Sequence, residues 1–139
     1  MRLRSTVLAI AALAGTFELG RAAERQAPRV YELRTYTTVA GRLPALHARF
    51  RDHTMRLFEK HGMRNIAYWT PTDSARRDNT LIYVLSHASR EAADASWRAF
   101  AADTAWIRVR NASEADGPIL ARAPERTWMV ATDYSPATR

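Results

Sequence analysis

The sequence predicts an α+β domain built in the order β-α-β-β-α-β. Three observations predict it. Residues 30–38, VYELRTYTT, are rich in β-branched and aromatic residues and break at Gly41. Apolar residues then recur at helical spacing from Leu43 to His61 and stop at Gly62. Two further strand-like runs, residues 63–70 and 80–87, flank the polar stretch PTDSARRDN, which reads as a hairpin connection.

Taken in order, side-chain alternation puts Val30, Glu32, Arg34 and Tyr36 on one face of the first strand and Tyr31, Leu33 and Thr35 on the other. The strand does not say which face is covered. In the helix that follows, Pro44 sits in the first turn, where its missing N–H costs nothing. Leu43, Leu46, Phe50, Thr54, Leu57, Phe58 and His61 form the expected buried stripe, and Gly62 suits a left-handed C-cap. In the second strand Met63, Asn65, Ala67 and Trp69 share one face, and Pro71 ends it. Ser89 is a good N-cap for a helix whose apolar side is Ala93, Trp97, Phe100 and Ala101. Asp103 can cap a further helical stretch through Trp106, Ile107 and Arg110. Residues 113–125 read as a loop, 126–134 as the last strand and 135–139 as a tail.

This order is the split βαβ pattern of ferredoxin-like domains. Both helical regions fall on one side of a four-stranded sheet, which leaves the other side bare. A homodimer that closes two sheets into a barrel, a dimeric α+β barrel, is the economical cover.

Composition narrows the rest. The 139 residues suit one domain, and 47% hydrophobic with 25% charged residues is an ordinary globular balance. The net charge is +7, but the bases are scattered and almost all Arg. No basic run with interleaved aromatics marks a nucleic-acid footprint, so no nucleic-acid partner is expected. The chain has no Cys, which excludes thiolate nucleophiles and disulfides.

The first 23 residues have the order of a secretory signal peptide. Arg2 and Arg4 precede an uncharged run from Ser5 to Phe17, and small residues surround Arg21. The apolar run is too short for a permanent membrane anchor. Export, to the periplasm of a bacterium, is the expected destination. Residues 24–29 form a linker and 30–134 the domain.

The chain carries several motifs in series. They are Tyr31-Glu32-Leu33-Arg34 with Tyr36, Gly41, Leu57-Phe58-Glu59-Lys60-His61-Gly62, Tyr68-Trp69, and the run Trp97, Phe100, Asp103, Trp106. In these it resembles the NIPSNAP family, with Thr104 standing where the family pattern has Pro. The resemblance implies the dimeric α+β barrel. It assigns no activity, since bacterial members mostly lack one.

The candidate ligand-binding pocket is Glu32, Arg34, Tyr36, Trp69, Tyr83 and His87. Arg suits an anion or a carbonyl because its planar fork binds bidentately. Glu32 would tune Arg34, or simply pair with it at a dimer seam. Tyr36 would donate to ligand. Trp69 and Tyr83, with Trp97 and Trp106, either build core or line an apolar pocket. His87 ends a strand and is either structural or faces a cavity. His47 and His61 lie about 21 Å apart along their helix, and no helix pair has the spacing of a metal clip, so no metal is expected. His61 sits where a helix dipole favours it. No cofactor is expected, and no His follows His87 to serve the haem-degrading relatives of this fold. Two functions stay open. One is a homodimer that binds a small hydrophobic or aromatic molecule or a partner protein. The other is a cofactor-free monooxygenase or isomerase acting on an aromatic or polyketide-like substrate, with Arg34 holding an oxyanion and Tyr36 or His87 moving a proton.

Overall fold

The computed structural model describes residues 28–136. The expected signal peptide and most of the linker lie outside the described residues. Strands β1 (Val30–Thr37), β2 (Arg64–Trp69), β3 (Thr80–His87) and β4 (Glu125–Val130) form one sheet in the order β2-β3-β1-β4, and every pairing is antiparallel. Helices α1 (Leu43–Arg49) and α2 (Met55–Lys60) join through a π-helical turn, Phe50–Thr54, into one continuous helix; α3 (Arg90–Ala102) and α4 (Thr104–Ser113) complete the layer. This is the ferredoxin-like α+β arrangement that the element order implies.

The helix ends follow the local chemistry. Gly62 ends the first helix with φ +77°, a left-handed conformation that a side chain would strain. Ser89 caps α3, its hydroxyl accepting from the Ala92 N–H at 3.0 Å. Asp103 caps α4 by accepting from the Ala105 N–H at 2.8 Å. The same carboxylate takes Lys60 at 2.6 Å and His61 at 2.7 Å, which ties the end of the first helix to the α3–α4 corner. His61 is thus a partner of Asp103 as well as a helix-end residue. The bonds from Lys60, His61 and Ala105 hold the Asp103 carboxyl below the usual carboxylate range.

Leu46, Phe50, Phe58, Met63, Leu81, Tyr83, Leu85, Phe100 and Ile119 make the core between sheet and helices. Phe50 and Phe58 are its aromatic centre, each packed edge-on, tilted or stacked against several rings, Tyr83 among them.

Four sequence expectations need correction. The buried stripe of the first helix includes Arg49, while Leu57 and His61 are only half-buried. Arg49 follows Leu46 at ordinary helical spacing. The π turn after it inserts an i→i+5 step (the Met55 N–H bonds the Phe50 carbonyl) and shifts the phase at Leu57 and His61. In β2 the register slips between Asn65 and Ala67, so Asn65 and Tyr68 share the covered face. Ala101 is exposed on α3. The last strand stops at Val130, and Tyr134 lies exposed in a turn beyond it.

Candidate functional site

Glu32 is the hub of the covered face. It is fully buried at 0% exposure, yet both of its oxygens accept hydrogen bonds. Arg34 NH1 donates to Oε1 at 2.7 Å; His87 Nε2 and Trp97 Nε1 donate to Oε2 at 2.9 and 2.8 Å. The backbone explains the meeting. Glu32 and Arg34 are two apart on β1, His87 closes β3 beside Val30, and α3 lowers Trp97 onto the strand. The Arg34 guanidinium lies 4.3 Å over the Trp97 ring, a stacked cation on an aromatic face. Burial alone would raise the Glu32 pKa, but the bonds from His87, Trp97 and Arg34 outweigh it and hold the carboxyl below its ordinary value. Burial would lower that of Arg34, and the neighbouring Tyr36, Tyr83 and Glu32 oxygens raise it instead.

An ionised carboxylate only accepts, so we assign the His87 proton to Nε2. His87 Nδ1 and Arg34 Nε then have no hydrogen-bond partner among the described residues.

A second chain of polar contacts runs alongside. The Tyr83 hydroxyl donates to that of Tyr36 at 3.0 Å, and Tyr83 stacks on Tyr68 with centroids 5.2 Å apart. Tyr68 donates to Asn65, which donates to the Met55 carbonyl at 3.0 Å at the end of the π turn. Burial pushes the Tyr68 and Tyr83 phenols upward, so both stay protonated and able to donate.

Beyond Tyr36 opens a cavity of about 120 Å³ between the sheet and the helices. Its walls are rings from Tyr36, Phe50, Phe58, Phe100 and Trp106, with Arg49, Arg110 and Glu114 at the helix side. The Arg49 side chain is only 3% exposed and pairs with Glu114 at 3.1 Å and Ser113 at 3.2 Å. Its Nε has no partner among the described residues. Thr54 donates its hydroxyl to the Arg49 carbonyl at 3.1 Å, so the π turn anchors at the residue that reaches into the cavity.

Glu32, Arg34, Tyr36, Tyr83 and His87 therefore stand together on the covered face. Trp69 stands apart. It pairs with Ile82 at the far end of edge strand β2, is 51% exposed and takes no part in the Glu32 cluster. Glu32 and Arg34 form the ion pair that the alternative reading of them expected, and the pair lies under α3 within the chain. The sequence does not mark Trp97 as a hydrogen-bond donor, and it gives Arg49, Arg110 and Glu114 no site role. For Arg49 one signal existed, its position between Leu46 and Phe50 on the stripe.

The architecture and buried site define a ferredoxin-like α+β domain. The NIPSNAP family profile matches residues 31–136, so the chain belongs to the NIPSNAP family. It is similar to a NIPSNAP family protein of Agrobacterium tumefaciens, at TM-score 0.66 and 19% identity over 78% of this chain and 93% of that one. A NIPSNAP domain protein of Burkholderia xenovorans gives TM-score 0.64 and 20% identity over 77% and 98%. More distantly, the cofactor-independent oxygenase SnoaB of Streptomyces nogalater shares the fold, at TM-score 0.51 and 14% identity over 79% and 99%. No curated protein matched the sequence.

Proposed function

We propose that this NIPSNAP protein is an exported homodimer that binds a small molecule in the cleft between sheet and helices of each protomer. The cavity beyond Tyr36 carries this proposal. It is concave, walled by aromatic rings and supplied with a few converging polar groups, the usual make-up of a small-molecule site. The homodimer is supported by the opposite sheet face, where Tyr31, Ile66, Val84 and Met129 line a groove of about 330 Å³. A second copy would cover those apolar side chains and close the barrel. No helix among the described residues is long and apolar enough to cross a membrane.

A second proposal is catalysis without a cofactor, as a monooxygenase or isomerase on an aromatic or polyketide-like substrate. The fold shared with SnoaB supports it, as do the unpartnered Arg34 Nε and His87 Nδ1 inside the cluster. The Glu32 carboxylate weighs against it, because it already neutralises Arg34 and leaves little charge for an oxyanion.

Native mass spectrometry of protein purified gently from its host tests the first proposal. A dimer carrying a reproducible small mass is the expected result. A bare monomer would contradict both the dimer and the bound ligand. Oxygen uptake with an aromatic or polyketide-like substrate would favour the second proposal.

A further inference from the structure

We propose that the cleft ligand is a single-ring aromatic carboxylate, held by Arg49 Nε and the Tyr36 hydroxyl. The inference rests on the small-molecule proposal above and deepens it by naming the ligand class.

Size comes first. The cavity is about 120 Å³. An engineered cavity of about 150 Å³ holds benzene, so this space takes no more than one ring, and a carboxylate on that ring lies at the Arg49 edge, which also borders a larger groove. The walls agree, since rings of Phe50, Phe58, Phe100 and Trp106 face the space and can meet a ligand ring edge-on or offset.

Charge and donors come next. Two guanidiniums, Arg49 and Arg110, border the cavity against one carboxylate, Glu114. Glu114 is engaged by Arg49 NH1, and among the described residues Arg110 reaches no acid, only the Asn111 amide oxygen at 3.4 Å. The lining carries two positive charges against one negative, and the surplus sits on exposed Arg110 at the rim, where it favours the approach of an anion. Two donors are also unused. Arg49 Nε is buried without an acceptor, a costly state for a charged donor. The Tyr36 and Tyr83 hydroxyls share one hydrogen bond; with Tyr83 as its donor, the Tyr36 proton is left to reach a ligand acceptor. Both side chains line the same space. A carboxylate can accept from both, one oxygen to each, while its ring packs on the aromatic wall.

Arg49 also borders a larger groove of about 490 Å³ between α1 and α4, lined by small residues such as Ala45, Ala48 and Ala112. A ligand entering from that groove would pass the guanidinium before reaching the rings, so the same residue can select the anion.

The test is isothermal titration of the full-length protein with benzoate and with acetophenone, a neutral ring of similar size. Benzoate is expected to bind saturably, and acetophenone at least about tenfold more weakly. Arg49→Met should weaken benzoate about tenfold or more and bring the two ligands together. Tyr36→Phe keeps the ring and should weaken benzoate by about threefold to tenfold. Should Arg49→Met fail to fold, the ligand comparison on the wild type and Tyr36→Phe decide the matter alone. The inference is overturned if benzoate does not bind at millimolar concentration, if the two ligands bind equally to the wild type, or if Tyr36→Phe leaves benzoate affinity unchanged. A host-purified dimer that carries a small mass but ignores benzoate would refute this ligand class and leave the cleft proposal intact.

Discussion

The two faces of the sheet handle polar and apolar groups differently. The face under the helices carries Glu32, Arg34, Tyr36, Tyr83 and His87, and nearly all of that polar surface is buried. The open face carries Tyr31, Val84 and Met129 together with exposed Ile66. Hydrophobicity alone would turn β1 over, burying Tyr31 and Leu33 and leaving Glu32 in water. Partners decide burial here. Glu32 is tolerated inside because Arg34, His87 and Trp97 together satisfy both of its oxygens. The apolar open face is tolerated outside only if something covers it, which is the physical basis for the proposed dimer.

Breaking the covered face should have the largest effect. Glu32→Ala leaves the Arg34 cation buried without its counter-charge and should cost about 3–5 kcal/mol in urea unfolding. The double replacement Glu32→Leu with Arg34→Met should recover most of that loss, because an apolar pair needs no counter-charge. Two single losses that simply add would show that the pair is not coupled.

Acid should expose the same contrast. The folded pKa values of Glu32 and Asp103 are both lowered. Their contribution to stability is therefore full above the ordinary carboxylate range and is lost as pH falls through the lower folded values. Urea midpoints should hold between pH 7 and pH 5 on account of these two groups and drop by pH 3. In Glu32→Gln the drop should shrink; an unchanged acid response would remove Glu32 from the explanation.

Smaller effects sharpen the frame around the site. Gly62→Ala has room, with Ser96 Oγ 3.6 Å from the added carbon, but must adopt φ +77°. We expect about 1–2 kcal/mol by thermal unfolding, from backbone strain alone. Ser89→Ala removes the α3 cap and should cost about 1 kcal/mol in the same assay. On the open face, Met129→Lys should change monomer stability by no more than about 0.5 kcal/mol, since it touches no buried network. Its effect should be on assembly instead, halving the mass seen by light scattering.

Much of this frame was legible in the sequence. The strand at VYELRTYT, the stop at Gly62 and the caps at Ser89 and Asp103 follow from local rules, and local rules held there because each element agrees with its neighbours. Glu32, Arg34, Tyr36, Tyr83 and His87 could be singled out because polar residues on an otherwise strand-like pattern stand out. What stayed hidden depends on insertions that periodicity does not record. The π turn at Phe50–Thr54 adds a residue to the helical phase and turns Leu57 and His61 partly outward. The bulge near Ile66 reverses the later half of β2, which sends Tyr68 to the core and Trp69 to the rim. Glu114 and Arg110 enter the cavity only because α4 folds back over the first helix, a tertiary event with no local signature.

The most direct test of the account compares native mass spectra of the wild type and Met129→Lys, each purified from the host. The account predicts a wild-type dimer with one small mass per protomer, and a monomeric variant that keeps the same mass, because the cleft lies within a single chain. A small mass that disappears with the dimer would place the site between protomers, and a bare wild-type monomer would contradict the cleft and the cover together.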